Sequence, residues 1–174
     1  LSIVGNTLRS TFIHPTSATE TETMFLVESG FYLTNFTIAG IKASGTRGGS
    51  SYDPDPTTGL PEVQGWVAAF RPGCVIRKSP YIQNCTNFAD SGIDNDNFDP
   101  NNLQGEGGDV TSGPTGGGIL CDGNVPATES PLRSFVVDSF TQIALDGPGI
   151  LCTNNAYAQL VSFFGTFCFY HAKA

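Results

Sequence analysis

The sequence predicts an all-β chain wound as a solenoid of about five coils, and three observations carry that reading. The phrase Gly118-Ile119-Leu120-Cys121 returns 31 residues later as Gly149-Ile150-Leu151-Cys152. Each copy leads through a polar turn into a second apolar run, first Phe135–Phe140 and then Leu160–Phe164. No stretch keeps a 3.6-residue apolar period for three turns, while Gly and Pro supply 32 of 174 residues, which favours strands joined by turns.

Register is set on the polar residue that interrupts each second run, namely Asn35, Asn84, Asp138 and Ser162. The last interval is 24 residues, a reasonable β-coil, whereas the two before it are 49 and 54. Polar, Gly/Pro-rich insertions at 44–64 and 94–117 absorb the excess, with a shorter one at 124–131. Insertions in a repeat architecture map to loops.

Taken in order, residues 1–15 form part of a coil with Leu8, Phe12 and Ile13 as apolar positions. Thr16–Thr23 alternates Thr with Glu and reads as a surface turn. Phe25–Ile41 is the cleanest coil: Leu33, Phe36 and Ile38 all face inward if the chain corners at Asn35. Asn suits a corner because it tolerates left-handed backbone angles. Asn35 and Asn84 then stack as a ladder, buried enough to need partners. The insertion at 44–64 holds Tyr52-Asp53-Pro54-Asp55-Pro56 and is too rich in Pro to join a central strand. Trp66–Phe70 and Val75–Cys85 return to the coil, with Cys85 facing inward. Asn87 falls where Ile38 predicts an apolar residue, so the pattern breaks there. Cys121 and Cys152 hold equivalent places and stack as small apolar residues.

Composition excludes several functions. A net charge of −8 with eight scattered Lys and Arg argues against nucleic-acid binding. No run of 18 apolar residues marks a membrane helix. Five cysteines without a CxxC pair signal neither a zinc site nor a disulfide framework, and point to folding in a reducing cytoplasm. His14 and His171 stand near opposite ends, and no Gly-x-Ser-x-Gly elbow accompanies them. Gly116-Gly117-Gly118 lacks the Lys of a phosphate-binding loop. Both Asn35-Phe36-Thr37 and Asn84-Cys85-Thr86 match the glycosylation pattern, but they lie inside apolar strand runs.

Two weaker signals involve carboxylates. Asp94, Asp96 and Asp99 are weak candidates for Ca2+ ligands, since hard cations take carboxylate oxygens. Phe98 at the fifth position and no Gly at the sixth break the EF-hand template, so no cofactor is required. Polysaccharide cleavage needs two carboxyls roughly 5–10 Å apart. Asp90, Asp94 or Asp96 would have to meet Asp122 or Asp138, and no spacing enforces this, so no catalytic residue is assigned.

The stretch Arg77-Lys78-Ser79-Pro80-Tyr81-Ile82-Gln83-Asn84-Cys85-Thr86 is similar to an RSPYIQNCT signature. Asn155-Ala156-Tyr157-Ala158-Gln159-Leu160-Val161-Ser162 resembles NNGYAQLVS, and Asp138-Ser139-Phe140-Thr141-Gln142 resembles the DSFTQ element before it. Together they resemble the β-helix segment of virion structural proteins of T4-like tailed phages, chiefly those infecting cyanobacteria. The resemblance implies a right-handed parallel β-helix in a tail, baseplate or fibre protein, a homotrimeric assembly and no catalytic residues. The two long insertions depart from shorter members.

The expectation is therefore one β-helix segment over residues 1–174, a fragment of a longer virion chain. It is a rigid rod presenting host-recognition loops, with Tyr52, Asp53, Asp55, Asn97 and Phe98 as candidate binding residues. Expected partners are copies of itself, other virion proteins and a host-surface polysaccharide or receptor. The alternative is a tailspike depolymerase acting on that polysaccharide.

Overall fold

A computed structural model of the chain describes residues 1–16, 22–28, 30–41, 52–54, 61–63, 65–71, 74, 78–89, 117–123, 134–144, 148–166, 168 and 170–174. Among them there are strands and turns but no helix. The strands are β1 (Ser2–Val4), β2 (Phe12–Ile13), β3 (Phe25–Val27), β4 (Tyr32–Thr34), β5 (Thr37–Ala39), β6 (Tyr52–Pro54), β7 (Pro61–Val63) and β8 (Trp66–Phe70). They continue with β9 (Tyr81–Ala89), β10 (Gly117–Asp122), β11 (Ser134–Ala144), β12 (Pro148–Thr153), β13 (Tyr157–Leu160), β14 (Phe163–Thr166) and β15 (Tyr170–Lys173).

Two parallel sheets account for all but one pairing. The first runs β1-β4-β9-β11-β13, with β2 pairing β5, β5 pairing β9 and β14 pairing β11; the second runs β15-β12-β10-β8-β3. Along the chain the strands of these sheets alternate, so each return to a sheet adds a parallel neighbour. Only β6 and β7, from the Pro-rich insertion, pair antiparallel and apart from both. That separation follows from Pro54 and Pro61, which cannot donate to a central ladder.

The repeated phrase pairs with itself in register, Ile119 with Ile150 and Cys121 with Cys152. Its glycines have a packing reason. A Cβ on Gly118 would lie 2.3 Å from the Gly149 carbonyl oxygen, and one on Gly149 would lie 2.1 Å from that of His171.

Between the sheets lies a core of Leu33, Ile82 and Val137 in one column and Phe36, Cys85 and Phe140 in the next, all buried. Two residues, not one, separate Leu33 from Phe36, Ile82 from Cys85 and Val137 from Phe140, so the backbone must break strict alternation there. Asn35, Asn84 and Ser139 do so, with φ of 63°, 48° and 53°. Asp138 pairs with Gln83, one residue earlier, so the corner column is Asn35–Asn84–Ser139, and Ser162 falls next in it by count. This corrects the expected place of Asp138. The ladder is also less buried than expected: Asn84 is exposed, although its Nδ2 donates to Asn35 Oδ1 at 2.7 Å.

Asn87 keeps the register it was expected to disturb. It lies between Ile38 and Gln142 in one column, and both amides are fully buried. Asn87 Nδ2 donates to Gln142 Oε1 at 2.9 Å, while Asn87 Oδ1 and Gln142 Nε2 have no partner.

All five cysteines are thiols outside any disulfide. Cys121 Sγ donates to the Tyr157 carbonyl at 2.9 Å, and the neighbouring Cys152 sulfur, with burial, pushes the Cys121 thiol up. Burial pushes the Cys85 thiol from 9.0 up to about 11. The fold holds Cys85 protonated, so its contribution is complete below 9.0 and is lost as pH rises through about 11. That shift corresponds to roughly 2–3 kcal/mol. Urea unfolding should therefore show stability falling across this window, and falling less in Cys85→Ala. Equal pH slopes for the two proteins would remove this account.

Candidate functional site

Register brings together side chains that lie far apart in sequence. Tyr32 pairs with Tyr81, and Thr34, Gln83 and Asp138 follow one another in the adjacent column. Ile82 and Val137, the intervening residues, point into the core, so alternation turns Tyr81, Gln83 and Asp138 to the other face.

On that face a directed hydrogen-bond chain forms. An ionised carboxylate only accepts, so Gln83 turns its amide nitrogen to Asp138 and its amide oxygen to Tyr32. Gln83 Nε2 donates to Asp138 Oδ2 at 3.0 Å, and the Tyr32 hydroxyl donates to Gln83 Oε1 at 2.6 Å. Tyr81 reaches Asp138 Oδ2 at 3.5 Å, and Ser139 Oγ donates to Asp138 Oδ1 at 3.0 Å. The rings of Tyr32 and Tyr81 lie 5.7 Å apart at 47°. Burial, the charge of Asp138, its hydrogen bond and Tyr32 together raise the Tyr81 phenol above its ordinary value. Tyr32, Tyr81, Gln83 and Asp138 are all half-buried, and exposed Asn84 and Ser139 flank them.

Sequence reasoning found Asn35, Asn84 and Asp138 but missed the tyrosines and Gln83. The signal was present: Tyr32 and Tyr81 each stand three residues before a corner Asn. Of the loop candidates, Tyr52 and Asp53 lie on β6, paired with Val63 and Glu62. Asp55, Asn97 and Phe98, and the proposed metal ligands Asp94, Asp96 and Asp99, lie outside the described residues. Among the described residues no group of three or more His, Cys, Asp or Glu is placed to hold a metal ion.

A concavity of about 590 Å³ lies beside the turn at Thr153–Ala156, walled also by Cys152 and Lys173. Two of its polar side chains are already engaged: Thr153 Oγ1 and Asn154 Nδ2 donate to the buried Asp122 Oδ1 at 3.0 and 2.7 Å. The tyrosine face, with polar groups turned outward, is the better candidate. Comparisons with protein-family models, with curated proteins and with solved structures find no match for this chain.

Proposed function

We propose that this chain is a right-handed parallel β-helix segment of a phage virion protein, of tail, baseplate or fibre type, that serves as a structural and adhesion module. The observation that carries the reading is the alternation of strands between two parallel sheets, with long insertions between strands of successive rungs. A chain that alternates this way and always returns in parallel is wound by its crossovers, which are nearly always right-handed. The signatures around Tyr81–Thr86 and Asn155–Ser162 supply the virion setting by resemblance.

Exposed large apolar side chains include Leu1, Val4, Phe12 and Leu26 on or beside β1 to β3, and Tyr157, Leu160, Val161 and Phe164 on or between β13 and β14. Charged residues make up only 14% of the sequence, against about 25% in an average globular protein. Both features fit a surface covered by neighbours, and a closed homotrimer covers it without open-ended polymerisation. Other virion proteins and a host-surface saccharide complete the partner set.

Expression of residues 1–174 followed by light scattering tests the assembly. The expected mass is three times the 18.4 kDa chain. A soluble monomer that unfolds cooperatively would contradict it.

A further inference from the structure

We propose that Tyr32, Tyr81, Gln83 and Asp138 form a binding site for a neutral, hydroxyl-rich saccharide on the outer face of the first sheet. This deepens the adhesion reading above and rests on it, placing recognition on the strands themselves as well as on loops.

Four features select that ligand class. Two tyrosine rings 5.7 Å apart, each partly open to solvent, offer apolar surface for the C–H faces of a pyranose. The hydrogen-bond chain holds the polar groups in fixed directions before any ligand arrives, which lowers the ordering cost of binding. Its unused capacity is mostly for accepting: tyrosine oxygens and the remaining lone pairs of the Asp138 carboxylate. Ligand hydroxyls supply the matching donors, and the second hydrogen on Gln83 Nε2 serves a ligand oxygen. Finally, among the described residues no basic side chain joins the network, and the net charge is −8, so an anionic saccharide is repelled.

The same face carries a second polar column, Asn35–Asn84–Ser139, one residue further along each rung. Rungs recur about every 4.8 Å. Repeated polar positions along one axis suit a linear chain of sugar units better than a single compact ligand.

The chain of hydrogen bonds between rungs also has a structural use, so the test must read binding apart from folding. Calorimetry and saturation-transfer NMR would be run with short neutral oligosaccharides of glucose, galactose, mannose and rhamnose. Polygalacturonate and oligolysine serve as anionic and cationic controls. At least one neutral oligosaccharide is expected to bind, with affinity roughly tenfold weaker in Tyr32→Ala and in Asp138→Asn. Tyr32→Phe, which keeps the ring, should lose less. Circular dichroism would confirm that each variant is folded. Absence of neutral binding, binding unchanged in folded variants, or binding of oligolysine alone that Asp138→Asn abolishes would each overturn the site. Light scattering on the same samples separates this failure from that of the assembly: a trimer that binds no saccharide removes only the site, whereas a saccharide-binding monomer removes only the trimeric setting.

Discussion

Phe135→Ala is expected to destabilise the fold by about 3–5 kcal/mol, the upper range for a single truncation in a packed core. Phe135 lies on β11 of the first sheet, is fully buried, and stacks on Phe70 of the second sheet with ring centroids 4.6 Å apart at 28°. Its edge also meets Phe31 at 6.1 Å and 68°, and Phe31 in turn meets Phe25 at 6.4 Å. The ring thus ties both parallel sheets to the turn between β3 and β4. Truncation removes the transfer free energy of a phenyl group and leaves a cavity that rigid strands cannot collapse into. Domain stabilities are about 5–15 kcal/mol, so the variant should approach the unfolding threshold at ordinary temperature. Phe135→Leu preserves most of the volume and should cost less, about 1–1.5 kcal/mol. Urea denaturation of both variants gives the comparison. A Phe135→Ala protein as stable as wild type would show that the two sheets do not share this core.

The second large effect is an interaction rather than a single cost. Asn87→Leu removes the hydrogen-bond partner of the buried Gln142 amide, and Gln142→Leu does the same to Asn87. Each single substitution should cost about 1–3 kcal/mol through an unsatisfied buried amide. The double substitution removes both polar groups at once and continues the apolar column begun by Ile38. It should therefore be more stable than the sum of the single changes by a similar 1–3 kcal/mol. Additive effects would show that the two amides are not coupled across the rung.

These two sites mark how far the sequence could be read. Repetition of Gly-Ile-Leu-Cys gave the pairing of β10 with β12, because identical residues at equal offset stack without altering the rung. The inward places of Leu33, Phe36, Ile38 and Cys85 followed from a corner at Asn35, a residue whose chemistry suits positive φ.

The third corner misled because two polar residues, Asp138 and Ser139, stand side by side. Asp is the more frequent residue at positive φ, yet Ser139 takes that conformation. Asp138 is instead held on the strand by Gln83, a partner 55 residues away that no local pattern reveals. Asn87 disturbed the expected periodicity for a similar reason, since its partner Gln142 is equally distant in sequence. Attention to loops as carriers of function also drew the reading away from Tyr32 and Tyr81, although each stands three residues before a corner Asn.

The central claim is the register between the paired parallel strands, because the positive-φ column, the buried amide pair and the tyrosine face all depend on it. Paired cysteine substitution tests it most directly: Asn84→Cys with Ser139→Cys, compared with Asn84→Cys with Asp138→Cys. Mild oxidation followed by peptide mass spectrometry reports which pair becomes linked, since a disulfide forms only between Cα atoms about 4.4–6.8 Å apart with converging side chains. The directly opposed 84–139 pair should cross-link faster than the diagonal 84–138 pair. Linkage of 84 to 138 with none between 84 and 139 would contradict the register and the site built on it.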